Sequence, residues 1–589
     1  MDVEGYYRQF QKNTALMIAK QKKQLQFIVL MRLLAFLLLA CFIYLAFSLH
    51  PFYIFIGLGV FAFAAFLLLM KQHARVNKEL LFQTSLNAIA VHGAKPFYKA
   101  ETGQGYDKPG HTYSSDFDVF GKGSLFQFIN TTETVQGQQE LAHRLLNPAT
   151  VSSQIKREQE AIKELKGKPG FMTDLRTFSS LIGHEPATHH QLTNWLNSKA
   201  VISAKKFMPL ALWVVPFLSI AGLVAAFGFG YYNPLVGAIL INWFLAGLYL
   251  RHNNKVHAIV GKQKATLENY SRLNTLMAAE EFDSEQLTGL KRSFNESTLA
   301  LKQLASLAAA FDQRLNTMIG PILNSLFIFD LQCVYRIEKW QQQHAATMQN
   351  WLADTARLEA LVSFGTYAFN HAHYIFPEVE EGGIVLEATQ LIHPLIGDRQ
   401  GVANAFQYSG SDKVFIITGS NMSGKSTFLR TLGVSLLTGM MGLPVHAGRF
   451  RFSPVKLLSS MRIADSLQDS TSYFYAELKR LKIIVDETEK PGLPSVLFID
   501  EMLKGTNSKE KLDGSVAIIE KLVTKPCISF IATHDLALGA LEQKFAGRVK
   551  NYSFESSIID NNLVFDYKIK EGVASSTNAT FLLRKMGIV

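Results

Sequence analysis

Cysteine and charge are both scarce in this chain. Only three cysteines, Cys41, Cys333 and Cys527, occur in 589 residues. They lack metal-ligand spacing and lie in apolar surroundings, which excludes a disulfide framework and a cysteine-held metal. They read as small buried hydrophobes in a reducing compartment. Charged residues make up 18% against 48% hydrophobic, and phenylalanine alone counts 43. That balance is poor in charge for a soluble chain and points to membrane segments. The formal net charge of +11 is unevenly spread: residues 1–80 hold nine Lys or Arg against three Asp or Glu. Attraction to anionic membrane lipids accounts for this, and charge argues neither for nor against DNA. At this length a single core is too few, and about three modules are expected.

Two pairs of apolar runs supply the membrane segments. Residues 27–49 and 52–70 are split by His50-Pro51, and residues 207–230 and 231–250 are split near Asn233-Pro234. Each run has about the length of a spanning helix, so each pair reads as a hairpin. Arg32 lies inside the first run, one to two turns from its polar end, where it can snorkel toward Lys20, Lys22 and Lys23. Those lysines, Lys71 and Arg75, and Lys205, Lys206 and Arg251 all flank one side, while the turns at the other side carry no Lys or Arg. The positive-inside rule then predicts an integral membrane protein with four transmembrane helices, both termini and the long polar segments being cytoplasmic in a bacterial plasma membrane. The first run is long, begins late and is followed at once by another, which is not the pattern of a cleaved signal peptide.

Residues 414–427 read Val-Phe-Ile-Ile-Thr-Gly-Ser-Asn-Met-Ser-Gly-Lys-Ser-Thr, a buried strand running into a phosphate-binding loop. Gly419 and Gly424 allow a tight backbone path through Ser420, Asn421, Met422 and Ser423, and the loop opens a helix patterned by Phe428, Leu429, Leu432, Leu436 and Leu437. Lys425 is the candidate for the β- and γ-phosphates of ATP, Ser426 for Mg²⁺, and Thr427 completes the loop. A second buried strand, Ser495-Val-Leu-Phe-Ile499, delivers Asp500 and Glu501 to its end. Asp500 suits Mg²⁺ held through water, and Glu501 suits orienting or deprotonating the attacking water. A third, Ile528-Ser-Phe-Ile-Ala-Thr533, ends at His534, the candidate γ-phosphate sensor of an ABC-class ATPase.

Several stretches resemble MutS proteins. Between the two Walker elements, Asp469-Ser-Thr-Ser472-Tyr-Phe474-Tyr-Ala-Glu477-Leu478 is similar to the Ser-Thr-Phe-Met-x-Glu signature of that family, with Ser472, Phe474 and Glu477 on its serine, phenylalanine and glutamate. Gly505-Thr506 and Gly572-Val-Ala-Ser-Ser576 also resemble it. So do Ile392-His393-Pro394, where the family has Arg-His-Pro at the opening of the ATPase domain, and, further upstream, Gly123-Ser124-Leu125, Thr134-Val135 with Gly137, and Arg144-Leu-Leu-Asn-Pro148. His393 is therefore a candidate nucleotide contact. The resemblance covers roughly residues 116–190 and 350–589. Together with the two apolar hairpins it gives the expected multidomain fold: transmembrane α-helical hairpins read from the apolar runs, and, implied by the resemblance, an all-α core and lever region and a C-terminal α/β P-loop ATPase domain of the ABC class. The expected division is 1–80, 81–206, 207–250, 251–380 and 381–589. The resemblance further implies a homodimer joined through the ATPase domains, in which Ser472 meets the γ-phosphate bound by the neighbouring subunit, with ATP and Mg²⁺ as cofactors, membrane lipids around the hairpins and DNA as a possible partner.

The sequence departs from the family pattern at Ser423, usually glycine, at Lys504, usually arginine, and in a longer loop over 507–514. Phe376-Pro377-Glu378 has the Phe-x-Glu form of a mismatch wedge but stands at the wrong end of the chain, and neither a mismatch-recognition domain nor a full DNA clamp is expected. Two other readings stay open: an ATP-switched membrane scaffold that touches no DNA, and half of an ABC transporter, against which the lack of a Leu-Ser-Gly-Gly-Gln signature counts.

Overall fold

The computed structural model describes residues 2–48, 52–182, 193–261, 264–316, 319–397, 400–408, 410–462, 473–559 and 562–575. The chain is mostly helical, with an α/β domain at its C-terminal end. Helices α1 (Val3–Ser48) and α2 (Phe52–His92) form an antiparallel pair. Both run well past the apolar stretches that suggested them, because the flanking polar residues keep helical propensity and gain packing. Tyr7 near the start of α1 bonds Asn370 at 3.1 Å, and Lys78 of α2 pairs with Glu268. Along the apolar halves Phe36, Phe47, Tyr53 and Phe61 point outward, as does Cys41, which is exposed rather than buried. Cys333 and Cys527 are buried as expected. The Arg32 guanidinium lies 5.8 Å from the centre of the Phe66 ring.

A short helix, α3 (Leu125–Ile129), is followed by α4 (Val135–Leu146), α5 (Ser152–Lys166) and α6 (Pro169–Ile182). Ser124 and Thr134 cap the first two of these: their hydroxyls accept from the Gln127 and Gly137 amides at 3.2 and 3.1 Å, which is the physical content of the Gly-Ser-Leu and Thr-Val segments. The second apolar pair becomes α7 (Met208–Phe229) and α8 (Asn233–Leu248), followed across a 62° bend by α9 (Leu250–Ile259). Gly222 permits their close approach, since a Cβ there would sit 2.9 Å from the Leu235 backbone. Among the described residues three helices are long and apolar enough to cross a membrane, and a fourth span results if the bent pair counts as one. Helix α8 alone, with 16 residues, rises only about 24 Å.

The helical region continues with α10 (Lys264–Ala279), α11 (Glu285–Asp312), α12 (Ile319–Phe327) and α13 (Phe329–Asn370). Gly320-Pro321 lies inside α12, whose Ser325 accepts a hydrogen bond from Trp243 of α8 at 2.9 Å. Helix α13 is the long strut of the molecule, about 63 Å from its 42 residues. Near its start Glu338 accepts from the Val201, Ile202 and Ser203 amides at 3.1, 2.9 and 2.6 Å and meets His252 at 2.7 Å, tying it to both ends of the α7–α8 pair. Three turns from its end, Glu359 accepts from the Glu133 and Thr134 amides at 3.1 and 3.0 Å. Gly137 leaves room for that carboxylate: a Cβ there would fall 2.4 Å from its oxygen.

The α/β domain carries two sheets. The smaller joins β1 (Glu378–Val379), β2 (Leu386–Leu391), β3 (Asn404–Gln407) and β5 (Arg449–Phe452) in the order β1-β5-β2-β3. The larger has six strands in the order β10-β9-β4-β8-β7-β6, comprising β4 (Val414–Gly419), β6 (Lys456–Ser460), β7 (Ser495–Asp500), β8 (Cys527–Thr533), β9 (Val549–Ile559) and β10 (Asn562–Glu571). Only the β9–β10 pairing in it is antiparallel. Because β4, β7 and β8 are buried on both faces, their sequences are almost continuously apolar. Phe415, Phe498 and Phe530 stack on one face of the sheet, centroids 5.2 and 5.4 Å apart. Phe117, from the segment before α3, lies edge-on to Phe498 at 5.5 Å and fills the space above Gly433 of α14 (Lys425–Met440), where a Cβ would come within 2.2 Å of its ring. The helical region and the sheet therefore share one core.

Phe376 packs under Lys163 and Lys166, 5.0 and 6.0 Å from its ring centre, and Glu378 faces Arg449 and Arg451 across the small sheet. The Phe-x-Glu triplet is thus spent on packing.

Candidate functional site

The parallel register of β4, β8 and β7 brings three strand ends to one edge. Strand β8 lies between β4 and β7, so the loop after β4, His534 after β8 and Glu501 after β7 meet there. The Gly419–Gly424 loop turns sharply into α14. Gly419 has φ 148° and a Cβ there would sit 2.5 Å from the Phe554 carbonyl; Gly424 has φ 109°. Met422, also at positive φ (67°), is exposed at the loop's crown. Lys425 is buried, and its Nζ donates to the Gly419 and Ser420 carbonyls at 2.7 and 2.9 Å. Burial lowers its pKa, partly countered by Glu501 and Asp500. The Ser423 hydroxyl is buried with no hydrogen-bond partner.

Glu501 sits at φ 55°, a strained setting for a residue with a side chain. Its amide donates to Ala532 at 2.9 Å, and its carboxylate meets His534 Nδ1 at 3.2 Å and Lys504 Nζ at 3.9 Å. Burial pushes the Glu501 carboxyl up, but Lys504 and His534 outweigh it and hold it below the usual carboxylate range. The loop that follows is clamped from α15 (Tyr473–Thr488): Glu477 accepts from the Leu503 and Lys504 amides at 2.7 and 3.1 Å. Phe474 covers Gly505, where a Cβ would lie 2.9 Å from its own Cβ.

Two adjoining cavities open at this edge. The polar one, about 350 Å³, is lined by Asn421, Ser426, Thr427, Asp500, Glu501 and Lys504. The other, about 380 Å³, is more apolar and is lined by His393, Ile396, Asn404, Phe428, Phe554 and Tyr567. Gly424, Thr427 and Tyr567 border both. Tyr567 reaches this position through a bulge in β10, with φ 53°; Asn404 holds the bulge by donating to the Tyr567 carbonyl at 3.0 Å and accepting from the Ile569 amide at 2.8 Å. His393 is neutral here, its pKa lowered to about 4 by burial and by Arg430.

The arrangement fits a nucleotide. The polar cavity stands at the N-terminal end of a 16-residue helix, with a lysine, a glycine-shaped backbone and an unpaired buried hydroxyl, and the more apolar cavity of about 380 Å³ adjoins it. Ser426 and Asp500 are the only metal-type donors predicted for it. Two oxygen donors suit Mg²⁺, which keeps several waters and takes the rest of its shell from phosphate. No cluster of three or more His, Cys, Asp or Glu that could hold a metal occurs among the described residues. Of the predicted site residues, Gly419 to Thr427, Asp500, Glu501, His534 and His393 come together; Ser472 lies outside the described residues.

Residues 415–582 match the model of MutS domain V. That match makes the α/β domain similar to the fifth domain of MutS proteins. Among the chain's relatives are MutS protein homolog 4 of Mus musculus, 28% identical over 236 residues, and DNA mismatch repair protein MutS of Phocaeicola vulgatus, 31% identical over 227 residues. These matches cover 38% and 37% of this chain but only 24% and 25% of the relatives. A MutS of Thermotoga neapolitana is 26% identical over 313 residues, 52% of this chain and 35% of its own length. The chain thus spans a quarter to about a third of the MutS relatives it matches. Lys504, Asn404 and Tyr567 were not among the predicted site residues. Lys504 was noted only as a departure, although its place three residues after Glu501 on a tight loop is a local signal; Tyr567 depends on a bulge that no short motif encodes.

Proposed function

We propose that this chain is a membrane-anchored, MutS-related ATPase that works as a head-to-tail homodimer. When bound, Mg²⁺·ATP supplies the phosphoanhydride to be cleaved and the charge that polarises it. The loop from Gly419 to Thr427 wraps the phosphates with its amides, and Lys425 exchanges its bonds to the Gly419 and Ser420 carbonyls for phosphate oxygens. Ser426 and Asp500 would hold the metal ion when it is bound. Glu501 accepts the proton of the attacking water, and His534 keeps its carboxylate aimed and ionised while facing the γ-phosphate. His393 and Tyr567 flank the base. Ser472, just before α15, completes the site of the neighbouring subunit.

The observation that carries this reading is the Glu501 carboxylate, held by His534 at 3.2 Å on the wall of the cavity that Lys425 and Ser426 enter. The α1–α2 and α7–α8 pairs are the anchors, supported by their outward apolar faces. Helix α13, fixed to the second pair by Glu338 and to the capping turn of α4 by Glu359, is the lever that carries nucleotide-driven motion. The relatives' role in DNA mismatch repair makes DNA structures at the membrane the proposed object of that motion. The test is ATP turnover by purified Glu501→Gln protein: binding of ATP unchanged, turnover lower by about 100-fold or more, with DNA hairpins, junctions and mismatched duplexes as added stimulants. Unchanged turnover in the variant contradicts the assignment.

A further inference from the structure

Beside the second apolar pair lie two clefts, one walled by apolar side chains and one rimmed by cations, with a common border at Tyr335 and Arg336. One, about 390 Å³, runs between α7 and the first turns of α13 and is walled by Leu212, Trp213, Pro216, Phe217 and Ile220. The other, about 540 Å³, lies between α11 and α13 and presents Lys302, Arg336 and Lys339 together with Trp340. No Asp or Glu lines either cleft. Lys302, Arg336 and Lys339 are exposed and make no ion pair among the described residues. By contrast Arg314 and Asp330, close by, pair at 2.8 Å and are both buried. Three cations left without carboxylates around one cleft are arranged for an anion that comes from outside the chain.

The apolar cleft says what else that anion carries. Its wall is the first half of α7, the half next to Lys205 and Lys206, and the same helix exposes Leu210, Trp213 and Phe217. A ligand lying in it must be apolar along one end and anionic at the other, at the depth where a bilayer's cytoplasmic leaflet meets water.

We propose that the joined clefts bind one anionic phospholipid, its acyl chains along Leu212, Pro216 and Ile220, its phosphate on the Arg336 guanidinium, and its distal headgroup within reach of Lys302 and Lys339. The inference rests on the membrane reading above and adds to it a specific lipid that bridges an anchor helix to the lever. The guanidinium can meet two phosphate oxygens at once, and the Tyr335 ring, 6.0 Å from Lys339 Nζ, shields the junction between the acyl and headgroup parts. A nucleic acid would use the cations but leave the apolar cleft unfilled, and the buried Trp340, whose indole N–H donates to the Ala300 carbonyl at 2.9 Å, offers it no stacking face, so a lipid is the occupant favoured.

The experiment uses the full chain, purified in detergent and inserted into vesicles of pure phosphatidylcholine, then offered phosphatidylglycerol and examined by native mass spectrometry after extraction. The wild type should keep one phosphatidylglycerol with a preference of about tenfold or more over phosphatidylcholine, and the Arg336→Glu, Lys339→Glu double variant should lose most of that preference while inserting equally well. A photoreactive side chain in place of Gln332, with all charges kept, should cross-link phosphatidylglycerol, which keeps the test open if the charge variant fails to fold. Equal insertion with no headgroup preference in the wild type overturns the lipid site alone. Failure of the wild type to insert into phosphatidylcholine overturns the membrane reading and this inference with it. Binding of a short DNA duplex that displaces the lipid and is itself lost in the charge variant, with cross-linking at Gln332 absent, also overturns it and assigns the cations to nucleic acid.

Discussion

His393 is buried beside Arg430, and its imidazole stays neutral down to about pH 4. In the unfolded chain an ordinary histidine takes up its proton near pH 6.5. The unfolded state therefore binds the extra proton first as pH falls, and stability is lost progressively from about pH 6.5 down to about 4, by up to about 3 kcal/mol. Thermal unfolding midpoints should fall over that window, and less steeply in His393→Gln protein; parallel pH profiles would contradict the burial. Glu501 has the same sign but titrates in a lower pH window. Its folded pKa is depressed, so its carboxylate is present above the ordinary carboxylate range and is lost only below it. A fall in activity between pH 6 and 7 would thus have to come from another group. At this scale the loop residues Gly419 to Thr427, Asp500, Glu501 and His534 were legible because each follows a strand directly, and strand pattern plus loop chemistry is local information. The bonds from Glu477 to the Leu503 and Lys504 amides, and from Asn404 to the β10 bulge, were not, since their partners lie 26 and more than 160 residues apart.

Helices α1 and α2 show what periodicity alone misses at the scale of elements. Their apolar runs are legible in the sequence, while the polar residues that extend both helices carry no such signal; tertiary contacts such as Tyr7 with Asn370 keep them helical. Phe117 is the clearest case of an element joined to a distant one. It is fully buried between Gly433 of the phosphate-loop helix and Phe498 of β7. Phe117→Ala should cost about 3–5 kcal/mol, read as a lowered unfolding midpoint. The long strut α13 offers a second test. Glu359→Ala leaves the Glu133 and Thr134 amides buried without an acceptor and should cost about 1–3 kcal/mol. An unchanged midpoint in the first variant would mean that Phe117 does not hold the helical region to the α/β domain, and in the second that Glu359 does not hold α13 to the turn before α4.

In the whole molecule the two apolar helix pairs, the helical levers and the α/β domain form one continuous structure, and the claims that reach beyond a single chain belong here. If Ser472 completes the neighbour's site, neither Lys425→Ala nor Ser472→Ala protein should hydrolyse ATP well alone. A mixed dimer gathers both defects in one of its two sites and leaves the other intact, so co-expression should restore part of the activity. Steady-state turnover of the mixture no higher than that of either parent, in a sample shown to contain mixed dimers, would count against a shared site. The likeness of the α/β domain to MutS proteins was legible in the chain at this scale because the motifs of that domain keep their order; the course of α13 between the helix pairs and the cleft was not, because nothing in a helical pattern states what its two ends touch.

The central claim is that an ATP-hydrolysing cleft on one side of a membrane is anchored by two hairpins whose turns lie on the other. Single cysteines at Asn233, Lys206 and Ser420, each in a chain whose own Cys41, Cys333 and Cys527 have been replaced, test it directly in intact cells with a membrane-impermeant thiol reagent. The account predicts labelling at Asn233, and labelling at Lys206 and Ser420 only after the cells are opened. Labelling of Lys206 or Ser420 from outside, or protection of Asn233, would contradict it.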